Sequence, residues 1–172
     1  NKQSFLQRQQ MSSLMNPLEQ KIIGKIKTKG PITFKNFMEM ALYEPELGYY
    51  TSQNTKIGRA GDFYTSSHLH PIFGMMIGKQ IEEMWEIMEK PSAFQIVEMG
   101  AGAGYVCKDM LDYYKGFKGS RVQGASKEKE IYKHLQYSIV ELNPVMRENQ
   151  KNLLADFSDK VRWVSSLNEL NG

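Results

Sequence analysis

Cysteine is almost missing: Cys107 stands alone among 172 residues, which excludes an intramolecular disulfide and is compatible with a reducing compartment. Histidine is scarce too. His68, His70 and His134 do not combine with a lone thiol into the spacing of a metal site. No apolar run reaches the roughly 20 residues of a membrane span. Basic and acidic residues nearly cancel, leaving a net charge of +3, too small an excess to argue for a nucleic-acid partner. Acidic residues are absent from Asn1 to Ser13, a glutamine-rich stretch carrying Lys2 and Arg8. Residues 1–15 read as a flexible tail, with a mitochondrial leader as the alternative. The length suits one domain or a piece of a larger one.

Two phosphate-binding signatures are also missing, and the stretch that lacks them is the most informative in the chain. Phe94, Ile96, Val97 and Met99 suit a buried strand of a parallel sheet. Gly100, Gly102 and Gly104 follow as a turn, and a helix begins behind them. A dinucleotide fingerprint needs a glycine where Tyr105 or Cys107 stands, and no Gly-Lys-Ser/Thr follows for a nucleotide triphosphate loop. Glu98 precedes the turn. A carboxylate there repels a pyrophosphate and attracts the cationic end of a sulfonium such as S-adenosylmethionine. The favoured reading is a methyl-donor site. A nucleotide site and a glycine turn without ligand are the alternatives.

Before this strand, Asn16 and Pro17 open a helix with Leu18, Ile22, Ile23 and Ile26 at helical spacing, ending near Gly30-Pro31. Thr33 caps a second helix through about Leu42. Pro45 and Gly48 mark a turn leading to Tyr49 and Tyr50, which either pack on these helices or line a substrate mouth. Thr55 to Ser67 reads as a glycine-rich loop bearing Arg59 and Asp62, an active-site wall or a plain polar loop. Pro71 starts a helix to about Glu89, with Phe73, Met76, Ile77, Gln80, Ile81, Met84, Trp85 and Met88 near one face. The methionines and Trp85 are expected in the core. Lys90-Pro91-Ser92 ends it.

Beyond the glycine turn, a helix to about Tyr114 carries Cys107, expected as a buried thiol. Gly116 to Ser126 reads as a linker with a weak strand at Arg121 to Gln123, followed by a short helix before Leu135. Tyr137 to Glu141 is the second clear strand, and Asn143-Pro144 opens a helix behind it with Val145, Met146, Asn149 and Leu153 on one side. An acidic residue ending the second strand accepts hydrogen bonds from ribose hydroxyls in nucleotide-binding α/β domains. Glu141 fits that position, or is an ordinary strand-end acid. It follows Gly100 by about 40 residues, roughly twice the usual separation of about 20, so the intervening segment must loop out. Val161 to Val164 is a third strand, and Leu167 and Leu170 belong to a final turn. Three strands leave an edge that needs covering, so the chain is expected to be part of a larger sheet.

Several of these segments together resemble the MidA/NDUFAF7-like methyltransferase family. They are Pro31 to Phe34, Leu42 to Tyr50, Gly58 to Ser66, His70 to Gly74, Val97 to Gly104 and Tyr137 to Glu141. The resemblance runs from about Leu18 to the end. It implies an α/β fold, a class I methyltransferase Rossmann-like parallel sheet with an N-terminal helical addition, here cut after the third strand. Residues 16–92 would be the helical and loop region contributing to the active-site cover, and 93–172 the first part of the donor-binding domain. The family's mitochondrial member is a protein-arginine methyltransferase needed to assemble respiratory complex I. The form Arg59-Ala60-Gly61-Asp62 resembles bacterial members. The resemblance implies the cytoplasm for a bacterial protein and the mitochondrial matrix for a eukaryotic one. Ala103 departs from the bulkier residue usual in the family, and the family's later acidic segment is absent.

The expected activity is S-adenosyl-L-methionine-dependent methyl transfer to an arginine side chain of a protein substrate. Glu98, Gly100, Gly102, Gly104 and Glu141 are the expected cofactor contacts. Asp62 is the expected catalytic loop carboxylate, and Tyr49, Tyr50 and Arg59 stand on the substrate side. A small-molecule methyltransferase and a non-catalytic assembly or binding protein are the alternatives.

Overall fold

A computed structural model describes residues 16–52, 70–116 and 127–170, and the chain divides between Asn54 and Thr55 into two compact units. The tail 1–15, the loop bearing Arg59 and Asp62, and the weak strand expected at Arg121 to Gln123 lie outside the described residues. No described helix is long and apolar enough to cross a membrane.

The first unit holds α1 (Pro17–Lys29) and α2 (Phe34–Tyr43). Asn16 Oδ1 accepts the Glu19 N–H at 2.8 Å and Pro17 fills the first helical position, satisfying an N–H that the helix start would otherwise orphan. Gly30, at φ 81°, ends α1. Thr33 caps α2 by accepting from Asn36 N at 3.2 Å. An ion pair joins Lys21 to Glu44. The chain then folds back on α2, with the N–H groups of Tyr49 and Tyr50 donating to Ala41 and Leu42 carbonyls at 2.9 Å each. The Tyr50 ring lies 5.5 Å from that of Tyr43 and 5.0 Å, edge on, from that of Tyr49.

The second unit runs α3 (Ile72–Ile87), β1 (Phe94–Met99), α4 (Tyr105–Lys115), α5 (Glu130–His134), β2 (Leu135–Val140), α6 (Pro144–Leu153) and β3 (Val161–Val164). The strands form one parallel sheet in the order β1-β2-β3. Leu135, Tyr137 and Ile139 on one face of β2 are buried in a core with Cys107, Met110, Leu111 and Tyr114 of α4, Trp85 of α3, and Leu154 and Phe157 behind α6. The burial expected for β1 is only half met. Val97 and Met99 are 41% and 65% exposed, because among the described residues β1 has a single neighbouring strand and their face carries no cover.

Helix α3 corrects a second expectation. Met76, Met84 and Met88 are exposed, and the buried line is Gly74, Gly78 and Trp85 with Ile77 and Ile81 alongside. The glycines bring α3 against α4. A Cβ on Gly74 would lie 2.6 Å from Asp109 Cβ and 3.1 Å from the Val106 carbonyl oxygen, and one on Gly78 3.0 Å from Met110 Cγ. The Tyr114 hydroxyl donates to the Gly78 carbonyl at 2.8 Å across the same contact. Beyond α3, Glu89 and Lys90 adopt left-handed φ of 62° and 54°, and Trp85 Nε1 donates to the Pro91 carbonyl at 3.0 Å, turning the chain into β1.

Two predictions follow from this helix pair. Ala gains about 1 kcal/mol over Gly in helix propensity, whereas overpacking a tight contact costs about 1–3 kcal/mol. Gly74→Ala therefore destabilises in urea unfolding, while Gly24→Ala on α1, where a Cβ meets nothing within 4 Å, stabilises by about 0.5–1 kcal/mol. Asp109 is buried beneath Gly74, and that burial pushes its carboxyl up to about 6, Asp112 adding to the shift and Lys108 and His70 opposing it. Below the unfolded value of about 4 both states hold the proton. Between there and about 6 the folded state keeps a proton that the unfolded chain releases, so stability falls as pH rises. Asp109→Asn should raise the melting temperature at pH 8 and leave it nearly unchanged at pH 4.

Candidate functional site

The candidate site lies where β1 and β2 end. The ladder carries on past both strands: Gly100 N–H donates to the Val140 carbonyl at 3.2 Å, and Glu141 N–H to that of Val164 at 3.1 Å. Gly100, Gly102 and Gly104 take φ of 66°, 57° and 89°, a left-handed alternation that side chains with a Cβ resist. A Cβ on Gly100 would meet nothing within 4 Å, so the corner is open and its glycine answers to conformation rather than crowding. Gly104 lies against α6, with Gln150 Cγ and Leu153 Cδ2 each 3.5 Å from an added Cβ, and the first turn of α4 starts from it.

Glu141 is held from two sides. Its Oε1 accepts the Asn143 N–H at 2.8 Å and its Oε2 accepts Gln150 Nε2 at 3.2 Å. Asn143 Oδ1 in turn accepts from Val145 N at 2.9 Å, capping α6. Arg147 Nη2 donates to the Glu141 carbonyl at 2.6 Å and to Ser165 Oγ at 3.0 Å, tying the ends of β2 and β3 together. Among the described residues each Glu141 oxygen accepts one hydrogen bond, within the capacity of a carboxylate oxygen to accept a second.

Glu98 is half-buried, and its Oε2 accepts the Tyr137 hydroxyl at 2.8 Å. Burial raises its pKa, with the Tyr137 bond pulling the other way. Glu98 pairs with Ile139 in the parallel register, and Ile139 precedes Glu141 by two residues. The two carboxylates therefore share a sheet face. Cys107 is fully buried, and burial drives its thiol pKa well above the ordinary range, so it is a packing residue and not a nucleophile.

The structure thus gathers Glu98, the three glycines and Glu141 at adjacent strand ends. Tyr49 and Tyr50 belong to the first unit, and Arg59 and Asp62 lie outside the described residues. Three participants escaped sequence reasoning: Tyr137, Trp163 and Gln150. Gln150 is 0% exposed, whereas Val145, expected on the inner side of α6, is 67% exposed. The available signal was position: Gln150 stands one turn after Met146 and one turn before Leu153 and Leu154, in the row that faces the sheet.

A parallel sheet with a glycine turn after its first strand and an acid closing its second, flanked by helices, is the architecture of a Rossmann-like class I methyltransferase. The chain belongs to the family described as "Putative S-adenosyl-L-methionine-dependent methyltransferase", which matches residues 76–172. It is 37% identical over 163 residues to the mitochondrial protein arginine methyltransferase NDUFAF7 of Xenopus laevis, covering 95% of this chain and 35% of that protein. It is 38% identical over 101 residues to the Drosophila melanogaster homolog, covering 59% of this chain and 23% of that one. The chain thus spans about a third or less of these relatives' length. A Burkholderia thailandensis "likely methyl transferase", solved bound to S-adenosyl-homocysteine, superposes with a TM-score of 0.65 at 25% identity, over 87% of this chain and 37% of that one.

Tyr137→Phe removes the one hydroxyl donor to Glu98 among the described residues and should cost about 1–2 kcal/mol. That hydroxyl favours the ionised carboxylate, so its loss raises the folded pKa of Glu98 further. The deficit should therefore grow as pH rises from 4 to 8, which urea unfolding at the two values measures.

Proposed function

We propose that the chain carries the donor-binding part of an S-adenosyl-L-methionine-dependent methyltransferase that methylates arginine side chains of a protein. The observation that carries this reading is the Glu141 carboxylate, fixed at the end of β2 and tied through Gln150 to the carbonyl of Gly102 in the glycine turn. Membership of the family supports the donor, as does the S-adenosyl-homocysteine bound to the Burkholderia relative. The names of the relatives support arginine as acceptor.

The residues fit the donor. The open corner at Gly100 lets backbone come close to a ligand without a side chain between. Glu141 offers two oxygens to the paired hydroxyls of a ribose, an acceptor-only match. Glu98 adds a second carboxylate on the same face, which would take the donor's amino end. Two acids beside one turn disfavour phosphate and suit a cationic ligand. When bound, S-adenosyl-L-methionine supplies a methyl group on a positively charged sulfur, open to direct attack by a nitrogen lone pair. The protein's part is then to hold donor and acceptor in line, to exclude water and to accept the proton that a guanidinium loses.

Calorimetric titration with S-adenosyl-homocysteine tests the donor site. Each charge-assisted hydrogen bond is worth about 1.5–3 kcal/mol, about 10- to 100-fold in affinity, so Glu141→Ala should bind at least about 10-fold more weakly than wild type. Isotope-labelled donor, cell extract and mass spectrometry test the acceptor, with methylated arginine in a protein as the expected product. Label confined to small molecules would refute the acceptor class, and absence of binding by the wild type would refute the donor.

A further inference from the structure

Gln150 is a fully buried polar side chain whose amide N–H groups join the two halves of the site. Its Nε2 donates to the Gly102 carbonyl at 2.7 Å and to Glu141 Oε2 at 3.2 Å, and its Oε1 accepts from Trp163 Nε1 at 2.9 Å. The orientation of the amide is forced. An indole N–H only donates, so it must face the amide oxygen. Both amide N–H bonds are then aimed at the carbonyl and the carboxylate, and every donor is used.

Fixing the Gly102 carbonyl fixes more than one atom. In a planar trans peptide the following N–H points the opposite way, so the Ala103 N–H is turned away from Gln150. It has no acceptor among the described residues. The second N–H of the amide sets the rotation of the Glu141 carboxylate, whose other oxygen is already held by Asn143. Trp163 and α6 lock the amide, so the glycine turn and the strand-end acid cannot shift independently.

We propose that Gln150 is a positioning residue of the donor site, holding the Gly102 peptide and the Glu141 carboxylate in the relation that the adenosyl ligand needs. The inference rests on the donor-site reading above. Its role is distinct from packing: an apolar side chain of equal length would fill the same space without a desolvated amide to satisfy.

The test titrates S-adenosyl-homocysteine into the full chain as wild type, Gln150→Glu and Gln150→Met, at pH 9 and pH 6, with melting temperatures alongside. Gln150→Glu keeps the acceptor for Trp163 and replaces the amide N–H groups with an oxygen. At pH 9 it should bind at least about 10-fold more weakly, because a second carboxylate faces Glu141 and the Gly102 carbonyl. At pH 6 a proton taken up by the introduced carboxylate returns one donor, so the deficit relative to wild type should shrink several-fold. Gln150→Met should lose affinity equally at both values, and it carries the comparison if Gln150→Glu does not fold. Wild-type binding with both variants binding as tightly, whatever their melting temperatures, overturns the positioning role. No binding by the wild type overturns the donor reading itself, and the inference with it.

Discussion

The pairing of β1 with β2 is the constraint from which the site follows. Parallel strands need no hairpin between them, so their register comes from the side chains that each face buries. Leu135, Tyr137 and Ile139 of β2 are almost wholly buried beside Phe94 and Ile96 of β1. On the opposite face a polar row does the same service. Ser138 is 0% exposed, and its Oγ accepts from Gln95 Nε2 at 2.9 Å and from Arg162 Nε at 2.8 Å. One hydroxyl thus joins all three strands. Any other register would strip the buried Ser138 hydroxyl of these partners, at about 1–3 kcal/mol.

Helix placement follows from contact distance rather than from apolar area alone. Gly74 and Gly78 let α3 approach α4 more closely than any residue with a Cβ allows. The helix behind the glycine turn is thereby clamped between α3 on one side and the sheet on the other. Its first turn is backed by Gln150 and Leu153, which would stand 3.5 Å from a Cβ on Gly104. Rigid support of this kind is what holds a turn of three left-handed glycines in one conformation, since glycine on its own favours none.

These features differ in how plainly the amino-acid order announces them. The strand, turn and helix around Gly100 were legible because an apolar run and glycine spacing are local. Glu141 was legible because Asn143-Pro144 marks where β2 must stop. The helix caps at Asn16 and Thr33 were legible for the same reason. The inner face of α3 was misjudged because a glycine at a contact adds nothing to a hydrophobic period, while methionine adds much and here faces out. The exposure of Val97 and Met99 depends on how many neighbours β1 has, which no window of sequence encodes. Gln150 was invisible for a deeper reason: its value lies in three partners distant in the chain, and polarity on a helix ordinarily signals solvent.

Register and chemistry are therefore one problem in this sheet. Side chains alternate with a period of two, so a slip of β1 against β2 by one residue would set Glu98 opposite the wrong face and turn it away from the face that Glu141 shares. It would also strip the Tyr137 hydroxyl of its acceptor and leave a half-buried carboxylate without its donor. The cost of slipping thus falls on the same residues that would bind the ligand. A site built in this way needs no separate device to keep its two acids together, because the hydrogen bonds that specify the fold already exclude the arrangement in which they part.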